Sequence, residues 1–309
     1  MLKSATPFLT AAERYRPAVT ELLGDLIRTP SLSADEADVI CRLRQQMESL
    51  GYDETIVDLF GSVIGRIGEG PTTIVYDAQV DTVGVGSLSE WSCDPYEPRI
   101  SGGVMYGRGA ACDDRGGIAA MVMGGALYKE LCPIGDVTLY VVGETPSLNA
   151  VPSTSTIYAD RRLTIGEDPE AALAEIRDLP AVKAAGAEVE LLTYDRTSFT
   201  GLTLGMAKQY STWVPHLNDK AVQAGIAAGK TALGRSLSTG HWVFSTNGVA
   251  SMGKLGIPTV GHGPGNEIHA HTVADQCPTD DLVDSMAWYA AFPTTYVSAV
   301  SAQPKAETT

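Results

Sequence analysis

Apolar side chains recur at helical spacing through the first fifty residues. The pattern predicts a first helix that begins near Pro17 and ends at Thr29-Pro30. A second helix is predicted to follow Ser33, whose spacing from Glu36 is that of a capping box. The apolar positions of the two faces are Tyr15, Val19, Leu22, Leu23, Leu26 and Ile27, then Val39, Ile40, Leu43, Met47 and Leu50. The chain is therefore expected to open with two amphipathic helices.

The apolar period shortens after residue 53 and predicts strands. Short strands are expected at 54–59 and 62–67. A mostly apolar run at 72–78 is expected to be a buried central strand of a parallel sheet, and 137–142 a second buried strand. Sites in open α/β sheets form at the carboxyl ends of such strands. The polar residues after 78 therefore lie where a site is expected.

Helices and short strands alternate over the rest of the chain. The expected helices cover 118–131, 169–179, 220–233 and 280–291, and the expected strands cover 155–163, 187–193 and 257–260. The last of these strands precedes a glycine-rich loop at 261–265. Alternation of this kind predicts an α/β layered fold.

Composition narrows the classes of function. Hydrophobic residues make up 44% of the 309, enough for a substantial core, and the net charge of −15 argues against nucleic-acid binding and against an anionic membrane surface. No apolar run reaches the length of a membrane-spanning helix. The five cysteines form no C-x-x-C pair, and their odd number favours reduced thiols in the cytoplasm.

Three polar clusters lie at positions where a parallel sheet presents a site. They are Gln79 with Asp81, Asp113 with Asp114, and Glu267 with His269 and His271. Carboxylates and imidazoles that converge from separate loops are typical of a zinc site. Each cluster alone also has a structural explanation, since an Asp at a helix start is commonly an N-cap and a loop His is commonly polar surface.

The wording of four motifs resembles one family of di-zinc hydrolases. That family includes aminoacylase, acetylornithine deacetylase, succinyl-diaminopimelate desuccinylase and the glutamate carboxypeptidases. Residues 76–83 resemble its His-x-Asp-Thr-Val motif, and 91–96 its Trp-x-x-Asp-Pro-Phe/Tyr loop. Residues 106–117 resemble Gly-Arg-Gly-x-x-Asp-x-Lys-Gly-Gly, and 263–272 resemble Gly-x-Gly-x-Glu-x-x-Ala-His. Segments 147–164 and 244–253 are similar to the selenium-metabolism-linked branch.

The resemblance extends from residue 12 to 293 and implies an architecture. The expected fold is a three-layer α/β/α sandwich of the zinc exopeptidase type, with a truncated α+β lid. Residues 1–146 and 196–309 would form the catalytic-type domain, and 147–195 a remnant of the lid, or dimerisation, domain. The resemblance also allows a homodimer, since members of the family usually pair through the lid.

The resemblance implies roles for individual residues. Asp81 matches the carboxylate that orients a metal-bound imidazole, Asp113 the carboxylate that bridges two zinc ions, and His271 a metal ligand. Substrate-binding positions are expected at Asn247, Gly265 and Glu267. The implied reaction is metal-dependent hydrolysis of the amide bond of an N-acyl amino acid or small peptide, with zinc as the cofactor.

The chain departs from the family at several of these positions. Gln79 replaces the histidine ligand, and residues 110–112 contain one residue more than the family motif has before Asp113. The resemblance implies that on the order of a hundred residues are absent after Gly143, a small domain's worth that includes the general base. Glu144 is the candidate to replace that base. Two interpretations follow: a catalytically impaired hydrolase, or a non-catalytic scaffold or binding homologue.

Overall fold

The computed structural model describes most of the chain. The described residues are 6–110, 114–132, 134–144, 161, 163–194, 197–203, 205–210, 212–242, 244 and 246–301. Asp113 and most of the expected strand at 155–163 lie outside them. Within them, no helix is long and apolar enough to cross a membrane.

The helices follow the apolar spacing closely. In the described part they are α1 Pro7–Arg14, α2 Arg16–Arg28, α3 Ala37–Ser49, α4 Arg115–Leu131, α5 Pro169–Asp178, α6 Pro180–Ala185, α7 Lys220–Leu233 and α8 Thr279–Ser301. Pro17 lies in the first turn of α2, as expected of a residue that lacks a backbone N–H. The last helix continues about ten residues beyond its predicted end at 291, with Pro293 inside it.

In the described residues the strands form one mixed sheet and two small antiparallel sheets. The strands are β1 Glu54–Val57, β2 Val63–Ile67, β3 Thr72–Gln79, β4 Arg99–Ser101, β5 Val104–Tyr106, β6 Val137–Glu144, β7 Thr193–Tyr194, β8 Met206–Ala207 and β9 Gln276–Pro278. The main sheet has the order β1-β2-β6-β3, and only β3 and β6 are parallel. Strands β4, β5 and β9 form a second sheet, and β7 pairs with β8.

The core lies between one face of the main sheet and the helices. Successive side chains of a strand point to opposite faces, and the positions Val63, Leu139 and Val141 are fully buried. Tyr76 of β3 lies on the same face, where its hydroxyl donates to the carbonyl of Tyr289 in α8 at 2.7 Å. The alternate position Val75 is 54% exposed. The helices therefore hold the carboxyl ends of β3 and β6 from one side.

Two predicted strands are wrong. Residues 257–260 are irregular, because Ile257 donates to the Ser251 carbonyl at 2.9 Å and Gly256 turns the chain with a positive φ of 67°. The strand expected at 187–193 is limited to Thr193–Tyr194. Its partner β8 lies beyond residue 195, the predicted end of the lid remnant. The division into domains remains a prediction.

Two further expectations need correction. The strand predicted to be central, now β3, is at the end of the sheet formed by the described residues. Ser33 and Glu36 do not form a capping box: Ser33 donates to the carboxylate of Asp81, while Glu36 accepts from the backbone N–H of Ala34. Local spacing predicted the cap, but the Ser33 hydroxyl donates its hydrogen bond to Asp81, which is distant in sequence.

Candidate functional site

The carboxyl ends of the two parallel strands lie side by side. Gln79, the last residue of β3, is in register with Glu144, the last residue of β6. The backbone N–H of Gln79 donates to the carboxylate of Asp114 at 3.4 Å. Asp114 directly precedes α4. The structure therefore brings the first polar cluster of the sequence to the start of this helix, as expected from parallel strand topology.

Asp81 lies in a buried carboxyl pair just beyond β3. Its carboxylate accepts a hydrogen bond from Ser33, and Glu36 lies nearby with no exposed surface. Burial, together with the smaller effect of the charges of Asp81 and Asp35, raises the pKa of Glu36 to about 7. The Glu36 atom Oε2 has no hydrogen-bond partner among the described residues. Sequence reasoning missed Glu36 as a titratable group, because its apparent role was that of a helix cap.

Arg115 joins the start of α4 to the end of α2. Its guanidinium is fully buried and donates to the carbonyls of Leu26 and Thr29 and to the hydroxyl of Ser31. Burial lowers the pKa of Arg115 to about 10. Ser31 in turn donates to the Val80 carbonyl at 2.8 Å. This network fixes the backbone on both sides of Asp81, since Thr82 also donates to the Ser31 carbonyl at 2.8 Å.

A second buried arginine connects the glycine turn before α4 with the C-terminal loop. Arg108 forms an ion pair with Asp275 at 3.3 Å, and both side chains are almost completely buried. The Asp275 carboxylate also accepts from the backbone N–H of Gly109 at 2.7 Å. The guanidinium lies 4.7 Å above the ring of Trp91. Arg108 thereby connects two of the motifs, 91–96 and 106–117, with the segment that follows the third.

The C-terminal loop contains the remaining predicted positions. His271 has a left-handed backbone with φ of 59°, which is uncommon for a residue with a side chain, and its ring lies 5.8 Å from Phe244. Gly265 also has a positive φ, of 83°. Glu267 starts a short helical turn, and its Oε2 is buried without a hydrogen-bond partner among the described residues. Asn247 hydrogen-bonds the side chain of Asp77 on β3.

His262 of the glycine-rich loop is a further group that sequence reasoning missed. Its ring stacks on Trp288 at 4.1 Å between centroids, and its carbonyl accepts a hydrogen bond from the Tyr289 hydroxyl. Burial lowers the pKa of His262 to about 3, so the ring is neutral at physiological pH. The motif resemblance begins one residue later, at Gly263, so the sequence assigned no role to His262.

Gln79 changes the set of donors that a two-metal centre would need. Among the described residues, which leave out Asp113, no three His, Cys, Asp or Glu side chains converge to hold a metal ion. Gln79 offers a neutral carboxamide where the resemblance expects an imidazole, and a carboxamide oxygen is a weak zinc ligand. The nearby carboxylate of Asp114 is instead in contact with the Gln79 backbone.

A family model and a curated relative both match most of this chain. The family model described as Peptidase family M20/M25/M40 matches residues 75–295. The uncharacterized protein YgeY of Escherichia coli K12 is 30% identical over 392 residues, covering 94% of this chain and 97% of that protein. Since the alignment is longer than this chain, on the order of a hundred of its positions have no counterpart here, which agrees in size with the expected internal shortening.

Solved structures show the fold. Human carnosine dipeptidase 1 superposes with a TM-score of 0.69 at 11% identity, covering 95% of this chain and 100% of that one. Bacillus subtilis YXEP, described as a dinuclear metal-binding peptidase of family M20, has a TM-score of 0.57 at 14% identity and covers 93% of this chain and 99% of its own. The predicted α/β exopeptidase-type fold is thus confirmed.

Proposed function

Because this chain belongs to peptidase family M20/M25/M40, we propose that it is a catalytically impaired member of a family of amide-bond hydrolases. The observation that carries the proposal is Gln79. It ends β3 at the position of the family's histidine ligand, with its backbone N–H directed at the carboxylate of Asp114. A catalytic zinc requires about three good protein ligands and an open position. The described donors do not supply that set.

The buried framework around the site supports a folded and specific protein. Asp81 is held by Ser33, and Arg108 is paired with Asp275, so the loops of the site are fixed even though ligands differ. A family member that lost its catalytic activity but kept its fold would retain these framework contacts while its metal ligands changed. A second function is therefore a non-catalytic scaffold or binding homologue, which the same framework favours.

Further properties are part of the proposal. Zinc is the metal proposed for any occupied site, with Asp113 and His271 as ligands and Glu144 as the replacement base. Asn247, Gly265 and Glu267 are proposed to contact a small amide substrate. We propose that the protein is cytoplasmic, that it can form a homodimer, and that it has no nucleic-acid or membrane partner.

The test is turnover by the purified chain. A panel of N-acetyl amino acids and dipeptides is incubated with protein supplemented with zinc, with and without a chelator. We expect turnover near the uncatalysed background in both arms, because the metal that would activate the water lacks a full set of ligands. Loss of the general base lowers the rate by a further factor of about 100 or more. Fast turnover that the chelator abolishes would refute the impairment, and Glu144→Gln would then show whether Glu144 is the base.

A further inference from the structure

Strand β3 has one open edge in the part of the chain that the structure describes. It is the last strand of the main sheet and pairs with β6 along its whole length. Among the described residues, the backbone of 73–76 forms no hydrogen bond to any element other than β6. The outer edge therefore offers a row of N–H and C=O groups to which another strand can pair.

The sequence of β3 lacks the features that usually keep an edge strand from pairing. Those features are a short strand, lysine, proline or a bulge. The edge strands β1, β4 and β9 are short, with four, three and three residues, whereas β3 has eight. Strand β3 contains neither lysine nor proline, and its register with β6 is continuous. Its first five residues are threonine, isoleucine, valine and tyrosine types that favour extended backbone.

The face of β3 that points away from the helices carries apolar surface beside this edge. Val75 is 54% exposed, and Thr73 on the same face is exposed as well. Ile74 and Tyr76 point to the opposite face, where both are buried in the core. The core therefore fixes the position of Val75, and a strand added at the edge would cover part of its surface.

The side chains of β3 select one register for pairing with a second copy. A two-fold axis perpendicular to the sheet gives antiparallel strands in which residues opposite each other share a face. With Asp77 on the axis, two carboxylates would face each other, and with Tyr76 on it, Asp77 would face Val75. With Val75 on the axis, the two valines are opposite each other and each Asp77 faces the hydroxyl of Thr73. That register also pairs every residue from 72 to 78.

We propose that two copies of this chain associate through the outer edges of β3, antiparallel and with Val75 on the two-fold axis. The two four-stranded sheets would then form one continuous sheet. This surface differs from the lid, and the proposal does not depend on the proposed function. The net charge of −15 on each copy opposes association at long range, but physiological salt screens charges beyond about 8 Å. Contacts at the strand edge therefore decide the affinity.

Sedimentation equilibrium of the full chain at physiological salt tests the association. We expect the wild type to be a reversible dimer. Val75→Lys should raise its dissociation constant about tenfold or more, because two ammonium groups replace the valine pair on the axis. The matched control is Leu59→Lys, since Leu59 is apolar and 85% exposed at the turn between β1 and β2. It makes the same change of charge away from β3 and should leave the dissociation constant unchanged.

Disulfide cross-linking tests the register. Cα atoms directly opposite each other in antiparallel strands are about 4.5–5.5 Å apart, which lies within the range of about 4.4–6.8 Å that a disulfide spans. Val75→Cys should therefore form a covalent dimer under mild oxidation. Thr73→Cys should not, because each Thr73 faces Asp77 and the two cysteines would lie about 14 Å apart. The wild type, which has an exposed Cys41, gives the background.

Near-ultraviolet circular dichroism and thermal melting show whether each variant is folded. Monomers of the wild type at every concentration would overturn the proposal. Dimers that the folded Val75→Lys variant retains with unchanged affinity would also overturn it, because another surface, such as the lid, would then hold the copies together. Cross-linking of Val75→Cys no faster than that of Thr73→Cys or the wild type would contradict the register and the proposal with it.

Discussion

Replacement of Glu36 by Gln is expected to stabilise the protein in a pH-dependent way. Glu36 has no exposed surface, and burial raises its pKa from 4.5 to about 7. Its carboxylate would face the charges of Asp81 and Asp35, while the backbone N–H of Ala34 donates to it. The folded pKa lies above the unfolded value, so ionisation favours the unfolded chain. Glutamine cannot ionise but keeps an oxygen for the Ala34 N–H.

The magnitude follows from the pKa shift. A shift of this size corresponds to about 3 kcal/mol, since each pKa unit is about 1.4 kcal/mol. The cost is absent below pH 4.5, grows between pH 4.5 and 7, and is constant above that. Glu36→Gln should therefore match the wild type near pH 4 and exceed its free energy of unfolding by about 3 kcal/mol at pH 8.

Urea unfolding at several pH values between 4 and 8 measures this difference. The control is Glu21→Gln, because Glu21 is exposed on α2 and its replacement should leave the pH dependence unchanged. The general effect of the acidic net charge is common to all variants and cancels in the comparison. If the curves of Glu36→Gln and the wild type run parallel at all pH values, the buried carboxyl does not ionise on unfolding and the reasoning is refuted.

Three more predictions concern the site. The buried imidazole of His262 has a pKa near 3, so between pH 6.5 and pH 4 it takes up a proton only when the chain unfolds. His262→Phe should therefore reduce the loss of unfolding free energy between pH 7 and pH 4 by up to about 3 kcal/mol. Urea unfolding at several pH values measures this, and an unchanged pH dependence contradicts it. Asp275→Asn should lower the free energy of unfolding by about 3–5 kcal/mol, because it leaves the buried Arg108 without its partner. Asp280→Asn, at the more exposed pair with Arg16, should lower it by less than about 1 kcal/mol. Similar losses for the two variants would argue against a stabilising Arg108–Asp275 pair. Gln79→His should not restore chelator-sensitive turnover in an N-acetyl amino acid assay, because one imidazole does not replace the missing base, and clear turnover would show that another residue serves as base.

Features set by local spacing were predictable from the sequence. The bounds of α7, Lys220–Leu233, match the expected helix, and the polar end of β3 falls within one residue of its predicted position. The meeting of Gln79 with Asp114 followed from parallel topology and from a glycine turn before a helix. In each case the information lies in a short stretch of chain.

Features that depend on distant partners were not predictable. Arg115 contacts residues more than eighty positions away, and Arg108 pairs with a residue 167 positions away. Residues 257–260 have strand-like composition but hydrogen-bond to the preceding turn, so composition alone could not exclude a strand. The buried Glu36 looked like a cap because its spacing from Ser33 is correct, whereas Ser33 is engaged by Asp81.

The zinc content of the purified chain tests the central claim most directly. The chain is equilibrated with excess zinc, dialysed against zinc-free buffer and measured by inductively coupled plasma mass spectrometry against protein concentration. Because Gln79 replaces an imidazole and the described donors form no three-ligand group, the account predicts a stoichiometry well below one zinc per chain. Two tightly held zinc ions per chain would contradict the account and would show that the protein contains a complete two-metal centre.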